Sequence, residues 1–351
     1  MLSNESKAEF YMRTLNMVYS VPKENAAQEF DANEYLRANL DVRRSGIDPR
    51  KHWEEYGKNE PGRRQSYKEE LDSFNVNGYI IIQPSLEASI VDRALEAINE
   101  FKSEYRDIWD RNCDKNGMIR RITNLHRWSP EIQSLFTKNS AARFCDYAFE
   151  DATSIYTSLF FEAGSEQPIH RDTPYFHTRP INKFFGFWVA LEDVTLRNGP
   201  LQLIPKGHKS PELDLESIGR EVYPDLNQIN PNCDQLWNIY QDKMHKRCIN
   251  EGLVAIQIEM KKGDTLIWHP MLPHGGSPML DPCSSRKSIV FHVTPEDIPV
   301  YHQDAFFNPN KALSEHPSWP YAQLDGRQVA LIGNTVQFPG YFNGKRDEIV
   351  I

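Results

Sequence analysis

Residues 154–173 read SIYTSLFFEAGSEQPIHRDT, and this stretch decides the fold. Ser154–Phe161 is a short apolar run rich in aromatic and β-branched side chains, the composition of a buried strand. The segment Gln167-Pro168-Ile169-His170-Arg171-Asp172-Thr173 follows directly. In extended chain, residues i and i+2 point to the same side, so His170 and Asp172 can chelate one ion together. One neutral imidazole and one carboxylate are two of the three ligands of a non-haem Fe(II) centre that keeps adjacent positions open.

Outward from this stretch the chain is rich in strands. Phe184–Leu191, Leu201–Ile204, Leu253–Glu259, Thr265–His269 and Arg286–Val293 are short apolar or alternating runs. Turn signals at Asn198-Gly199, Lys262-Gly263-Asp264 and Gly275-Gly276 separate them. Upstream, LDSFNVNGYIIIQPSL reads as a helix end, a turn at Asn77-Gly78 and a strand Tyr79–Ile82. Residues 86–109 repeat Ile90, Val91, Leu95, Ile98 and Phe101 on one helical face. Helices first and then many strands predict an α+β chain with a β-sandwich or jelly-roll (cupin-like) barrel and flanking helices.

A third metal ligand has to come from a distant strand folded back beside the first. Gly263–Ser277 offers His269 and His274. His274 lies at a strand end beside Gly275 and Gly276, where backbone can approach a ligand closely. His269, inside the strand and before Pro270, reads as a buried histidine hydrogen-bonded in the barrel wall. A second H-x-D, His302-Gln303-Asp304, falls in a Pro- and Asn-rich tail after the core strands, so context favours His170 and Asp172. In the last strand, alternation puts Arg286 and Ser288 on one face and Lys287, Ile289 and Phe291 on the other. That strand is expected to return antiparallel to the one ending near His274. Arg286 then projects into the same cavity, where its fork can grip a distal carboxylate and a hydroxyl can add a bond. A dicarboxylate whose 2-oxo-acid end chelates iron is 2-oxoglutarate.

The bulk numbers bound the alternatives. The 351 residues suit one large domain or two ordinary ones, with 39% hydrophobic and 25% charged residues. A net charge of -9 argues against nucleic-acid binding, and no stretch approaches the roughly 20 apolar residues that span a bilayer. Five scattered cysteines without a C-x-x-C pair and an opening without an apolar signal core point to a cytoplasmic protein. Four segments are expected: a polar extension 1–29, a small helical module 30–66, an oxygenase domain 67–296 with an insertion 210–252, and a tail 297–351 packed on the barrel. In the module, two short helices break between Gly46 and Pro49 and close at Gly57 and Pro61-Gly62. It resembles a short module found beside enzymes of bacterial surface glycans and in secreted repeat proteins. The insertion, with Trp237, Tyr240 and His245, reads as a lid or binding loop.

From about Tyr67 to Pro295 the pattern resembles the phytanoyl-CoA dioxygenase family. The matching pieces are Phe74-x-x-x-Gly78-Tyr79-Ile80-Ile81, His170-x-Asp172, and Phe187-Trp188-Val189-Ala190-Leu191-Glu192-Asp193. Then come Asn198-Gly199-Pro200-Leu201-x-x-Ile204-Pro205-x-Gly207-His208, Gly263-Asp264, His269-Pro270-x-x-x-His274-Gly275 and Arg286. The resemblance implies a double-stranded β-helix, Fe(II) on His170, Asp172 and His274, and 2-oxoglutarate held by Arg286, with O2 as oxidant. It also implies that His208 is structural. The family often has His-Gly-Ser where this chain has His274-Gly275-Gly276-Ser277, so either Ser277 or Ser288 takes the co-substrate contact. Because Asp172 is retained, hydroxylation of an aliphatic C–H is expected over halogenation, with release of succinate and CO2; desaturation or ring chemistry stays open. The expected substrate is a small polar metabolite or sugar, with Arg121 and Arg127 of the basic run Met118–Arg127, and Trp188, as candidate contacts. A non-catalytic, cupin-like sugar- or metabolite-binding module is the alternative.

Overall fold

The computed structural model describes residues 29–60 and 62–351, so the polar extension, apart from Glu29, lies outside the described residues. Residues 30–66 carry helices α1 (Ala32–Ala38), α2 (Leu40–Ser45) and α3 (Pro49–Glu55), one more than expected. The extra break falls at Asn39. Its side-chain amide donates to the carbonyls of Tyr35 and Arg64, giving the backbone an alternative to a continuous helix. Asp31 and Asp48 cap α1 and α3 through their carboxylates.

Helix α4 (Lys68–Asn77) stops at Gly78, whose φ of 84° closes the last turn onto the Phe74 carbonyl. The chain then enters strand β1 (Tyr79–Ile82). The expected helix over 86–109 is two, α5 (Ala88–Glu104) and α6 (Arg106–Asn112), broken at Tyr105. With α7 (Pro130–Thr137) and α8 (Ala141–Phe149) they form a helical layer.

The remaining core is β: β2 (Ile122–Thr123), β3 (Thr153–Phe161), β4 (His177–Thr178), β5 (Phe185–Ala190), β6 (Leu201–Leu203), β7 (Ile256–Ile258), β8 (Thr265–Trp268), β9 (His274–Gly276) and β10 (Ser288–Pro295). The large sheet runs β1-β8-β5-β10-β3-β2, and β7-β6-β9 make a small one. In register, Val290 lies opposite both Trp188 and Leu159, and Phe291 opposite Phe187 and Ser158. Alternation then divides the side chains. Phe187, Ile289, Phe291 and Val293 pack under the helices, while Trp188, Leu266 and Val290 pack against Leu201 and Leu203 of the small sheet. The result is a double-stranded β-helix. β10 lies between β3 and β5, not beside β9 as the sequence suggests, so Arg286 approaches from the opposite sheet.

Two segments are more ordered than expected. Residues 210–252 fold mainly as α9 (Leu215–Val222) and α10 (Asp234–Asn250). The tail carries β11 (Val300–Tyr301), the short α11 (Gln303–Phe306), and two hairpins, β12 (Tyr321–Leu324) with β13 (Arg327–Ala330) and β14 (Thr335–Phe338) with β15 (Asp347–Val350). Both hairpins lengthen the large sheet: Val329 pairs with Ile155 of β3 and Gln337 with Thr123 of β2. Among the described residues no helix is long and apolar enough to cross a membrane.

Candidate metal centre

His170 and His274 meet because their backbones pair. Each donates its N–H to the other's carbonyl, at 2.8 and 2.9 Å. Two glycines make that approach possible. A Cβ at Gly275 would lie 2.6 Å from the Gln167 carbonyl oxygen, and one at Gly276 2.7 Å from the Glu166 nitrogen. The close approach expected at this pair is therefore to the chain leading into His170 rather than to a ligand.

The ligand atoms of His170, Asp172 and His274 all lie within 4.8 Å of one another, and all three residues are buried. His170 Nε2 is 3.7 Å from Asp172 Oδ1, and His274 Nε2 is 3.6 Å from Asp172 Oδ2. Two donors on one ion with bonds of about 2.1 Å stand about 3 to 4 Å apart, so these spacings suit a shared ion. The tautomers suit it as well. His170 Nδ1 donates to the Pro168 carbonyl (2.8 Å) and His274 Nδ1 to that of Leu272 (2.9 Å). A carbonyl only accepts, so each Nδ1 carries the hydrogen and each Nε2 keeps its lone pair. The Gln167 side-chain nitrogen, 3.3 Å from His170 Nε2, faces that lone pair. Burial pushes both imidazoles down to about 4, which keeps them neutral.

Neighbours that sequence reasoning missed hold the group in place. Trp268 donates its indole N–H to Asp172 Oδ2 at 2.9 Å, and its ring centre is 4.5 Å from that of His274. Alternation along β8 was the available signal, since it puts Leu266 and Trp268 on one face. Gln241 of α10 accepts from the Arg171 N–H and donates to the Arg171 carbonyl, both at 2.9 Å. The Arg171 side chain turns away, to the Gly207 carbonyl and Glu212.

Arg286 is 1% exposed, and burial lowers its guanidinium to about 10 against the opposing charge of Glu192. It lies 5.8 Å from the Phe161 ring centre and 5.6 Å from that of Trp188. One of its terminal nitrogens donates to the Gly199 carbonyl (3.2 Å), its Nε has no partner, and no ion pair to it occurs among the described residues. The Ser288 hydroxyl, also buried, has no partner. By contrast the Ser277 hydroxyl donates to the Pro200 carbonyl at 2.5 Å. A buried guanidinium and hydroxyl left unsatisfied together fit a carboxylate ligand.

The other candidates separate. Arg121 is close enough to His170 and His292 for its charge to act on both, and its guanidinium stacks 5.0 Å over Tyr341. Arg127 instead donates to the carbonyls of Ile332 and Gly333, away from the three ligands. His208 bonds the Asn75 carbonyl, and His269 Nδ1 accepts from the Met271 N–H, so both are wall residues. His302 and Asp304 form no metal-ligand group among the described residues; Asp304 pairs with Lys311 at 2.6 Å.

A family model for phytanoyl-CoA dioxygenase (PhyH) matches residues 74–288. Phytanoyl-CoA dioxygenase 1 of Oryza sativa subsp. japonica is 24% identical over 266 residues, covering 64% of this chain and 88% of that protein. The peroxisomal phytanoyl-CoA dioxygenase of Homo sapiens is 29% identical over 133 residues, covering 38% and 35%. That of Bos taurus is 31% identical over 111 residues, covering 32% of this chain and only 28% of the bovine protein. Among solved structures, the non-heme alpha ketoglutarate dependent carbocyclase SnoK from nogalamycin biosynthesis superposes with a TM-score of 0.51 at 16% identity, covering 75% of this chain and 96% of SnoK. The epimerase SnoN, solved with Fe3+, alpha ketoglutarate and nogalamycin RO, gives 0.52 at 16%, covering 76% and 98%. These two likenesses are of fold. With the family match spanning β1 to the start of β10, this chain belongs to the phytanoyl-CoA dioxygenase family of Fe(II)- and 2-oxoglutarate-dependent oxygenases.

Proposed function

We propose that the chain is a hydroxylase in which His170, Asp172 and His274 hold Fe(II), Arg286 and Ser288 hold the far carboxylate of 2-oxoglutarate, and a small polar metabolite or sugar loses an aliphatic C–H. The carrying observation is the convergence of three ligand atoms within 4.8 Å, with both imidazoles bonded through Nδ1 so that each Nε2 keeps its lone pair. When bound, iron and 2-oxoglutarate supply O2 activation: substrate C–H, O2 and 2-oxoglutarate become alcohol, succinate and CO2. The residues of this chain do the rest. Asp172, fixed by Trp268, would supply the anionic ligand to the metal, and the two neutral histidines would supply the other two protein ligands. Arg286, between Phe161 and Trp188, orients the co-substrate through parallel hydrogen bonds in a place closed to water. The free Ser288 hydroxyl supports its part over that of Ser277, which is already engaged. Trp188 then belongs to the co-substrate end, and Arg121 to the substrate side.

Anaerobic Fe(II) with 2-oxoglutarate is expected to give a weak visible metal-to-ligand charge-transfer band that Asp172→Ala abolishes. A parent protein without the band, or an Asp172→Ala variant that keeps it, overturns the proposal.

A further inference from the structure

Two aromatic paths lead away from the three ligands into parts of the chain beyond the family-matched residues. On one, the Trp237 ring centre is 5.7 Å from His170 and 4.7 Å from Tyr175, and Tyr175 is 6.4 Å from His302. On the other, His292 shares the inward face of β10 with Val290 and lies 4.2 Å from Phe176. Phe176 is 6.0 Å from Tyr156, which is 5.2 Å from Trp319. Polar atoms along both paths are buried without partners: Arg121 Nε, His292 Nδ1, His302 Nδ1, Trp319 Nε1 and both side-chain polar atoms of Gln303. The Gln303 side chain is completely buried beside the Tyr175 hydroxyl, Trp319 lies beside the Tyr321 hydroxyl and His302 beside the Tyr175 backbone, yet the side-chain atoms named make no hydrogen bond of good geometry. Burying an amide with neither group satisfied is unfavourable, and so many orphans along two paths that meet at the adjacent Tyr175 and Phe176 imply a ligand that completes them.

We infer that α10, the inward face of β10 and the tail around Gln303 and Trp319 form a pocket for a hydroxyl-bearing ring, sugar-like and carrying at most one acid group. The inference rests on the oxygenase reading and names the substrate class of that site. An amide, imidazoles and an indole N–H recognise hydroxyls and carbonyls, and flat aromatic faces suit the C–H face of a ring. Arg121 is the one cation in the group, so a single carboxylate is matched. An acyl-CoA, with several phosphate charges, would leave most of its charge unmatched.

The test uses the full chain loaded with Fe(II) and measures succinate release with a panel of methyl hexosides and hexuronic acids, and with palmitoyl-CoA as contrast. At least one sugar should accelerate release about 10-fold. Gln303→Leu and Trp319→Phe should each cut its kcat/KM about 10-fold, leaving the 2-oxoglutarate band unchanged. Trp319→Phe keeps a six-membered aromatic ring and removes the indole N–H together with the pyrrole edge, so it still reports if Gln303→Leu fails to fold. No acceleration by any sugar, acceleration by palmitoyl-CoA alone, or indifference to both substitutions overturns the pocket while the band stands. A parent protein without the band overturns the oxygenase reading and the pocket with it.

Discussion

Trp268 shows how much of the proposed metal centre rests on a residue outside its three proposed ligands. Its indole N–H fixes one carboxylate oxygen of Asp172, and a Cβ on Gly186 opposite would sit 2.0 Å from the indole. A glycine near the start of β5 is thus the space in which the tryptophan lies. Trp268→Phe keeps a six-membered aromatic ring and loses the indole N–H with the pyrrole edge. Fe(II) affinity should fall about 10-fold, read from the iron dependence of the charge-transfer band. The two serines divide in the same way. Ser288→Ala removes an unpartnered buried hydroxyl and should raise the KM for 2-oxoglutarate about 10-fold, whereas Ser277→Ala removes a bond to the Pro200 carbonyl and should lower thermal stability with KM unchanged. Equal KM effects in steady-state succinate assays would contradict this division.

At the scale of elements, α10 reaches across sequence to hold the backbone between His170 and Asp172. Gln241 treats the Arg171 backbone as a neighbouring strand would, satisfying its N–H and its carbonyl between the two ligands. Gln241→Leu leaves both buried backbone groups unpaired, at about 1–3 kcal/mol each. Weaker Fe(II) binding together with a lower melting temperature is expected, and a calorimetric scan with and without iron separates the two. Nothing in the sequence announces this helix's role, because the pairing is between side chain and backbone 70 residues apart. What was legible has local causes. His170 and Asp172 follow from strand period, Gly78 from the helix it ends, and the division between Ser288 and Ile289 from alternation. The place of β10 between β3 and β5 was not legible, because strand order is decided by which faces bury together and not by spacing along the chain.

For the whole molecule, the buried histidines set the response to acid. Burial pushes His126 and His269 down to about 3, and His177 and His292 down to about 4. In the unfolded chain each takes a proton near pH 6.5. Between those values the unfolded state binds more protons than the folded one, so stability is complete above about pH 6.5 and declines as pH falls towards 4. Each histidine adds a slope of up to about 1.4 kcal/mol per pH unit. Asp347, held down to about 2 by its bonds to Arg111 and Asn112, keeps the last hairpin docked through this window; its stabilisation is lost only below the ordinary carboxylate range. The first acid loss therefore comes from imidazoles in the core. His126 is the residue to test, since it lies under the large sheet against Ser158 and Phe291 and away from the metal ligands. In urea titrations of the iron-free protein from pH 7.5 to 4.5, His126→Gln should flatten the fall in stability even if its midpoint at pH 7.5 is lower. An unchanged slope would mean that the proton uptake on unfolding comes from elsewhere.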